Sequence, residues 1–161
     1  MTAEAEPARL DLRDPATLVA TWFGMGLARW APGTAASALA LPAAWLLRSY
    51  TGVLGLAIAA LVLFVIGVWA AAACERRTGV RDPPAVVVDE VAGQWIALLL
   101  VPADPAAYGI GFVLFRLFDV AKPWPIGLID RHVKGGFGVM LDDVVAGGFA
   151  ALVLWNIWMW L

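Results

Sequence analysis

Charge is scarce in this chain of 161 residues: Asp, Glu, Lys and Arg make up 15% of it, while 62% is apolar. Soluble domains carry about 25% charge and about 45 to 50% apolar residues, so the shortage excludes an ordinary soluble globule and points to a membrane protein. The net charge of -2 excludes a reader of nucleic-acid backbones, which would be markedly basic. A single cysteine, Cys74, excludes an internal disulfide, so nothing depends on an oxidising compartment. A single histidine, His132, excludes any phosphatase chemistry that needs one imidazole as nucleophile and another as acid and base.

Apolar runs are plentiful. Segments 35–47, 53–74, 86–101, 107–118 and 144–161 are mostly oily, and only the second clearly reaches the ~20 residues that a membrane-crossing helix needs. Short segments ending in charge suit a bundle that opens at one face into a wet cavity. The expected fold is therefore all-α: a polytopic membrane helical bundle of about five membrane-embedded segments, some of them short. Residues 1–13 read as an N-terminal tail and 14–161 as one membrane-embedded domain. The tail is not a secretory signal, because Glu4, Glu6, Asp11 and Asp14 precede any apolar stretch. DPATLVATWFGMGL, from Asp14, predicts a helix of about three turns with Asp14 as N-cap and Pro15 at the first helical position, too short to span.

Basic residues fall in three clusters: Arg9, Arg13 and Arg29; Arg76, Arg77 and Arg81; Arg116, Lys122, Arg131 and Lys134. Five crossings would place all three on one side, which the positive-inside rule makes cytoplasmic, with the C-terminus outside. Trp155, Trp158 and Trp160 then fit an aromatic belt at the far interface. The carboxylates sort the same way. Asp82, Asp89 and Glu90 flank the second basic loop, and Asp119, Asp130, Asp142 and Asp143 flank the third. Asp89 and Glu90 sit inside the run VVVDEVAGQWIALLLV, where an ionised carboxylate costs roughly 2 to 4 kcal/mol near a bilayer centre. Acids gathered beside Arg and Lys suggest a hard divalent cation such as Mg2+ and a phosphate held together.

Four blocks carry a resemblance. WAPGTAAS, DPPAVVVDEVAGQW, FRLFDVAKPWPIGLIDR and GGFGVMLDDVVAG, in that order, resemble the successive motifs of the phosphatidylglycerophosphatase A family. The likeness runs from about Gly24 to Gly148, departs at Ala36 where a glycine is common, and does not cover the N-terminal extension. It implies a largely helical, Mg2+-dependent protein of the bacterial cytoplasmic membrane that acts on a phospholipid. Its implied reaction is removal of the terminal phosphate of phosphatidylglycerophosphate to give phosphatidylglycerol. A homo-oligomer is compatible with the sequence.

Each block also has a purely structural reading. Asp89 and Glu90 could be a pair at a helix N-terminus, stabilised by the macrodipole, with Gly93 one turn on admitting another backbone. Arg116, Asp119 and Lys122, three residues apart on a helix that Pro123 ends, could be an ion ladder. GGFGVMLDDVVAGG reads as a flexible glycine loop before a helix that opens at its Asp pair, with Asp142 or Asp143 as N-cap. Gly135, Gly136 and Gly138 could close on an anion, although no Lys-Ser/Thr ending makes them a nucleotide P-loop. Ala146, Gly147 and Gly148 read as a packing surface. Thr34 is an N-cap or a substrate contact.

Cys74 lies seven residues before Arg81, so the Cys-x5-Arg loop of cysteine phosphatases is not matched, and no Asp-x-Asp nucleophile signature is present. Direct, metal-assisted hydrolysis remains, with a covalent aspartyl-phosphate left open as the alternative to water. Glu90, Asp119, and Asp142 or Asp143 are expected to hold the metal, with Asp89 orienting water. Arg116, Lys122, Arg131 and Thr34 are expected on the phosphate. The alternative is a small ion- or proton-coupled carrier, which would also place acids in a cavity, though near the membrane midplane rather than at one face.

Overall fold

In the computed structural model, which describes residues 10–160, the chain is helical with no strand among the described residues. The order is α1 (Pro15–Ala20), a 3-10 turn (Met25–Leu27), α2 (Pro32–Thr78), α3 (Val88–Ala97), α4 (Pro105–Ala121), α5 (Ile126–His132) and α6 (Gly135–Met159). Residues 1–9 of the expected tail, with Arg9, and the final Leu161 lie outside the described residues.

Asp14 caps α1 as expected, its carboxylate accepting from the Thr17 amide with Pro15 behind it. The helix is only 6 residues long, shorter than the composition suggested. Trp22, Phe23 and Gly24 all take positive φ and turn the chain. A side chain on Gly26 would strike the Ala85 backbone, so the turn lets residues 83–87 pass beneath and Val87 donate to the Ala20 carbonyl at 2.8 Å.

An unbroken helix of 47 residues would be about 70 Å long, more than twice the ~30 Å hydrocarbon core. α2 instead reverses at Gly52, where φ is 71° and ψ -171°, a conformation that costs residues with a Cβ dearly. In the first arm Gly33 faces Glu90, Trp95 Nε1 donates to the Ala40 carbonyl at 3.0 Å, and Arg48 donates to the Leu99 carbonyl at 3.1 Å. It therefore runs alongside α3 in the same direction. Leu56 and Ala60 of the second arm share a buried cluster with Trp95 and Leu98, whereas Gly67 lies against Val88 and Met140, so that arm returns. Segments 35–47 and 53–74 are these two arms.

α2 and α6 are the helices long and apolar enough to cross a membrane. α3 and α4, at 10 and 17 residues, reach about 15 and 26 Å, so the five apolar segments are all helical without all being full-length spans. The second arm of α2 turns Ile58, Leu61, Val65 and Trp69 outward; an apolar face that size needs an apolar neighbour.

Close backbone approach between α3 and α6 sets the geometry of the centre. A Cβ at Gly93 would lie 2.6 Å from the Asp143 carbonyl, and one at Gly147 would strike the Gly93 backbone. α6 begins at Gly135, eight residues before Asp143, so neither Asp142 nor Asp143 is an N-cap. Gly136 packs on Val68 and Ala72 of α2 and Gly138 on the Val133 carbonyl: these glycines are the first turns of a tightly packed helix, not a flexible anion loop. Gly147 and Ala146 pack as expected, while Gly148 faces open space.

Candidate active site

Six carboxylates, from Asp82, Asp89, Glu90, Asp119, Asp142 and Asp143, line one cavity of about 390 Å³ together with Arg116, Lys122 and the turn 31–34. Each wall has a local cause. Asp89 and Glu90 occupy the first turn of α3 and no side chain caps that helix, so both carboxylates are free to face the cavity near its positive end. Arg116 and Asp119 sit one turn apart on α4. Lys122 is the C-cap of α4 in the left-handed region, φ 42°, and the following Pro123 stops the helix. Thr34 stands exposed in the first turn of α2, whose N-cap is Ala31, and it lines the cavity mouth rather than capping a helix. Gly33 is what brings Glu90 so near, since a Cβ there would overlap the Glu90 carboxylate and lie 3.4 Å from Arg116 Nη1.

The six acids divide by partner. Asp119 is ion-paired with Arg116, whose Nη1 is also 3.9 Å from Glu90 Oε1. Asp142 is 2.6 Å from Lys122 Nζ, which also holds Asp130 at 2.7 Å. The expected ladder is therefore half present: Arg116 and Asp119 pair along α4, but Lys122 leaves the helix axis for α5 and α6. Burial opposes the charge on Lys122, yet its hydrogen bonds to Asp130 and Asp142 outweigh that and raise its pKa. Asp82, on the loop before α3 with φ 47°, is pushed up first by burial and then by the Asp142 carboxylate.

Asp89, Glu90 and Asp143 form the other half. Each contributes a carboxylate oxygen to a group lying within 4.8 Å of one another, and Asp89 Oδ1, Glu90 Oε2 and Asp143 Oδ2 are buried with no hydrogen-bond partner. Three like charges at that spacing, each with a buried, unpartnered oxygen and with only Arg116, 3.9 Å from Glu90, as a counter-charge, are strongly unfavourable. A hard divalent cation with oxygen ligands removes the conflict, and an all-carboxylate donor set suits Mg2+. The residues present therefore fit the metal that the sequence suggested: Asp89 clusters with Glu90 and Asp143, while Asp119 and Asp142, also expected at the metal, are paired with Arg116 and Lys122. Adjacent helical residues point ~100° apart, which is how Asp142 faces Lys122 and Asp143 faces α3.

Arg131 departs from expectation. It lines a neighbouring cavity of about 330 Å³ with Arg81, Asp130 and Gly135; the two cavities share only Asp82 and Asp142. Arg81 reaches across to the Asp130 carbonyl at 2.5 Å, so the second and third basic clusters do meet. His132 bonds the Leu128 carbonyl through Nδ1 and Cys74 is buried and free, consistent with structural roles. Asp82 and Gly33 carry more of the site than their motifs disclosed; the signal was a proline beside each, in DPP and in APGT.

Residues 18–158 match the family model described as Phosphatidylglycerophosphatase A. The chain is 38% identical over 151 residues to phosphatidylglycerophosphatase A of Escherichia coli, covering 93% of this chain and 87% of that protein. It is 34% identical over 165 residues to phosphatidylglycerophosphatase A of Haemophilus influenzae, covering 100% and 99%. A Bacteroides thetaiotaomicron protein named provisionally as a phosphatidylinositol-3-phosphatase is 42% identical over 144 residues, covering 85% and 89%. No solved structure matches the chain.

Proposed function

The chain belongs to the phosphatidylglycerophosphatase A family, and from that premise we propose that it hydrolyses the terminal phosphate monoester of phosphatidylglycerophosphate to phosphatidylglycerol and phosphate, using Mg2+, as a step of phospholipid synthesis. The observation that carries this reading is the trio of clustered carboxylates, each with one buried oxygen lacking a hydrogen-bond partner, beside two cations in one cavity. Asp89, Glu90 and Asp143 hold the ion. When bound, Mg2+ supplies Lewis-acid stabilisation of charge on the phosphoryl oxygens.

The remaining work belongs to the chain. Arg116 and Lys122, already oriented by Asp119 and by Asp130 with Asp142, receive the phosphate without first having to be ordered. Thr34 donates its hydroxyl at the mouth. Asp119, with Oδ2 held by Arg116, keeps Oδ1 to accept a proton from the attacking water, and the glycerol oxygen leaves, taking its proton from water in the open cavity. The acyl chains stay in the bilayer. The bundle is a multi-pass protein of the bacterial inner membrane, with the cavity and the N-terminal side cytoplasmic; the basic residues around the cavity and the outward apolar face of α2 support that placement. The gathering of the acids in one cavity with Arg116 and Lys122 argues against the carrier alternative, in which they would lie at the midplane.

A second substrate is favoured by the Bacteroides relative: a 3-phosphoinositide also carries a monoester phosphate on a polyol headgroup. Phosphate release by purified protein in detergent separates the readings. Phosphatidylglycerophosphate should be hydrolysed faster than phosphatidylinositol 3-phosphate; EDTA should abolish release and Mg2+ restore it. Full activity in chelator would contradict the metal reading, and a preference for the phosphoinositide would contradict the substrate.

A further inference from the structure

Gln94 is completely buried, and neither its Nε2 nor its Oε1 has a hydrogen-bond partner in the protein. Leaving a side-chain amide dry and unpaired is costly, so a fold does not keep such a group by chance at a packed position. Its place on α3 suggests what it serves. Gln94 lies four residues after Glu90 within one uninterrupted helix, Val88–Ala97, so the two side chains share a face. Helical side chains lean toward the N-terminus, which carries the Gln94 amide up toward the Glu90 carboxylate. Glu90 Oε1 is occupied with Gly33 and Arg116; Glu90 Oε2 is buried and lacks a partner. A donor without an acceptor thus stands one turn beneath an acceptor without a donor.

We infer that Gln94 is a positioning residue for Glu90: its Nε2–H donates through one enclosed water to the buried carboxylate oxygen and holds that oxygen turned toward Asp89 and Asp143. The inference rests on the metal reading given above. Carboxylates that ligate metals are themselves held by hydrogen bonds, and losing such a partner typically lowers metal affinity 10- to 100-fold. Glutamine suits the task because it donates without adding a charge to an already acidic centre.

The test measures Mg2+ binding by the Mg2+-dependent rise in melting temperature of purified protein in detergent, beside kcat and KM. Gln94→Leu removes the donor, and Gln94→Met does so with an unbranched chain of similar length should leucine fail to fold. Trp95→Phe, which loses the bond to the Ala40 carbonyl on the neighbouring face of α3, reports any general loosening of the helix. Gln94→Leu or Gln94→Met should need ~10-fold or more Mg2+ for half-maximal stabilisation, with lower kcat and little change in KM, while melting without Mg2+ stays level or rises. Trp95→Phe should melt lower and bind Mg2+ as wild type does. Wild-type Mg2+ affinity in the Gln94 variants would overturn this inference alone; a wild-type protein indifferent to Mg2+ would overturn the metal reading and this inference with it.

Discussion

Two groups of acids face each other across the same cavity and differ in a single respect. Asp119 and Asp142 have cations within reach; Asp89, Glu90 and Asp143 share only one remote contact, from Arg116 to Glu90 at 3.9 Å. A buried carboxylate with a good ion pair is compatible with the folded state on its own. A fully ionised trio without close counter-charges is not, and needs protons or a cation to neutralise it. The difference assigns the proposed metal to the acids without a close cation, while the paired acids shape the cavity and orient Arg116 and Lys122, Asp119 keeping one oxygen for water.

The strongest way to break that comparison is to neutralise one member of the trio. Glu90→Gln or Asp89→Asn preserves size and removes one charge; turnover should fall at least ~100-fold, the scale for losing one electrostatic contributor to a transition state. Asp11→Asn, remote from the cavity, serves as control for equally folded protein in the same detergent. Similar turnover in all three would show that the trio is architecture.

Arg116→Gln attacks the boundary between the groups, because it removes a phosphate contact and leaves Asp119 buried without its partner. A rise in KM and a fall in kcat together are expected, of order ten- to a hundredfold in kcat/KM, since hydrogen bonds to charged groups contribute about 1.5 to 3 kcal/mol. An unchanged KM would remove Arg116 from the substrate.

Gly147→Ala sharpens the comparison from the scaffold side. Its Cβ has no room against the Gly93 backbone, so α3 and α6 must separate, at a cost of about 1 to 3 kcal/mol for overpacking. Lower thermal stability with a weaker Mg2+ response is expected; a variant as stable as wild type would mean that the two helices are not held by this contact.

How much of this was legible in the sequence depended on what each feature answers to. Apolar segments report burial, and all five became helices. The reversal at Gly52 and the short α3 depend on where helices stop, which composition marks only loosely. Gly135, Gly136 and Gly138 misled because glycine runs read as loops, whereas here Gly135 starts the helix at φ 74°, and at Gly136 and Gly138 α2 and the Val133 carbonyl come too close for any side chain. Cavity membership was largely readable from the basic and acidic clusters. The division of Asp142 from Asp143 was not, because neighbours on a helix diverge by ~100° and only tertiary packing decides which meets Lys122. Arg131 went to the adjacent cavity for the same reason.

The smallest expected effect lies away from the cavity. Arg77 holds Asp14 at the start of α1, with Nη2 to Oδ1 at 2.7 Å, and hydrogen bonding to Arg77 lowers the Asp14 pKa from 3.8 to about 2. A carboxylate depressed by folding contributes stability that is present above its unfolded pKa and is lost as pH falls through the folded one, here between about 4 and 2. Wild type should therefore melt slightly above Asp14→Ala at pH 5, with the gap closing toward pH 2. A gap independent of pH would remove the ion pair as its cause.

The most direct measurement compares two adjacent residues. Asp142→Asn and Asp143→Asn make the same chemical change one position apart on α6, and differ in that Asp142 has Lys122 and Asp143 has the unpaired trio. With Mg2+ saturating for wild type, phosphate release from phosphatidylglycerophosphate should fall at least ~100-fold in Asp143→Asn and no more than ~10-fold in Asp142→Asn, with a weakened Mg2+ response in the first alone. Equal losses, or the larger loss in Asp142→Asn, would contradict the claim that Asp89, Glu90 and Asp143 hold the metal.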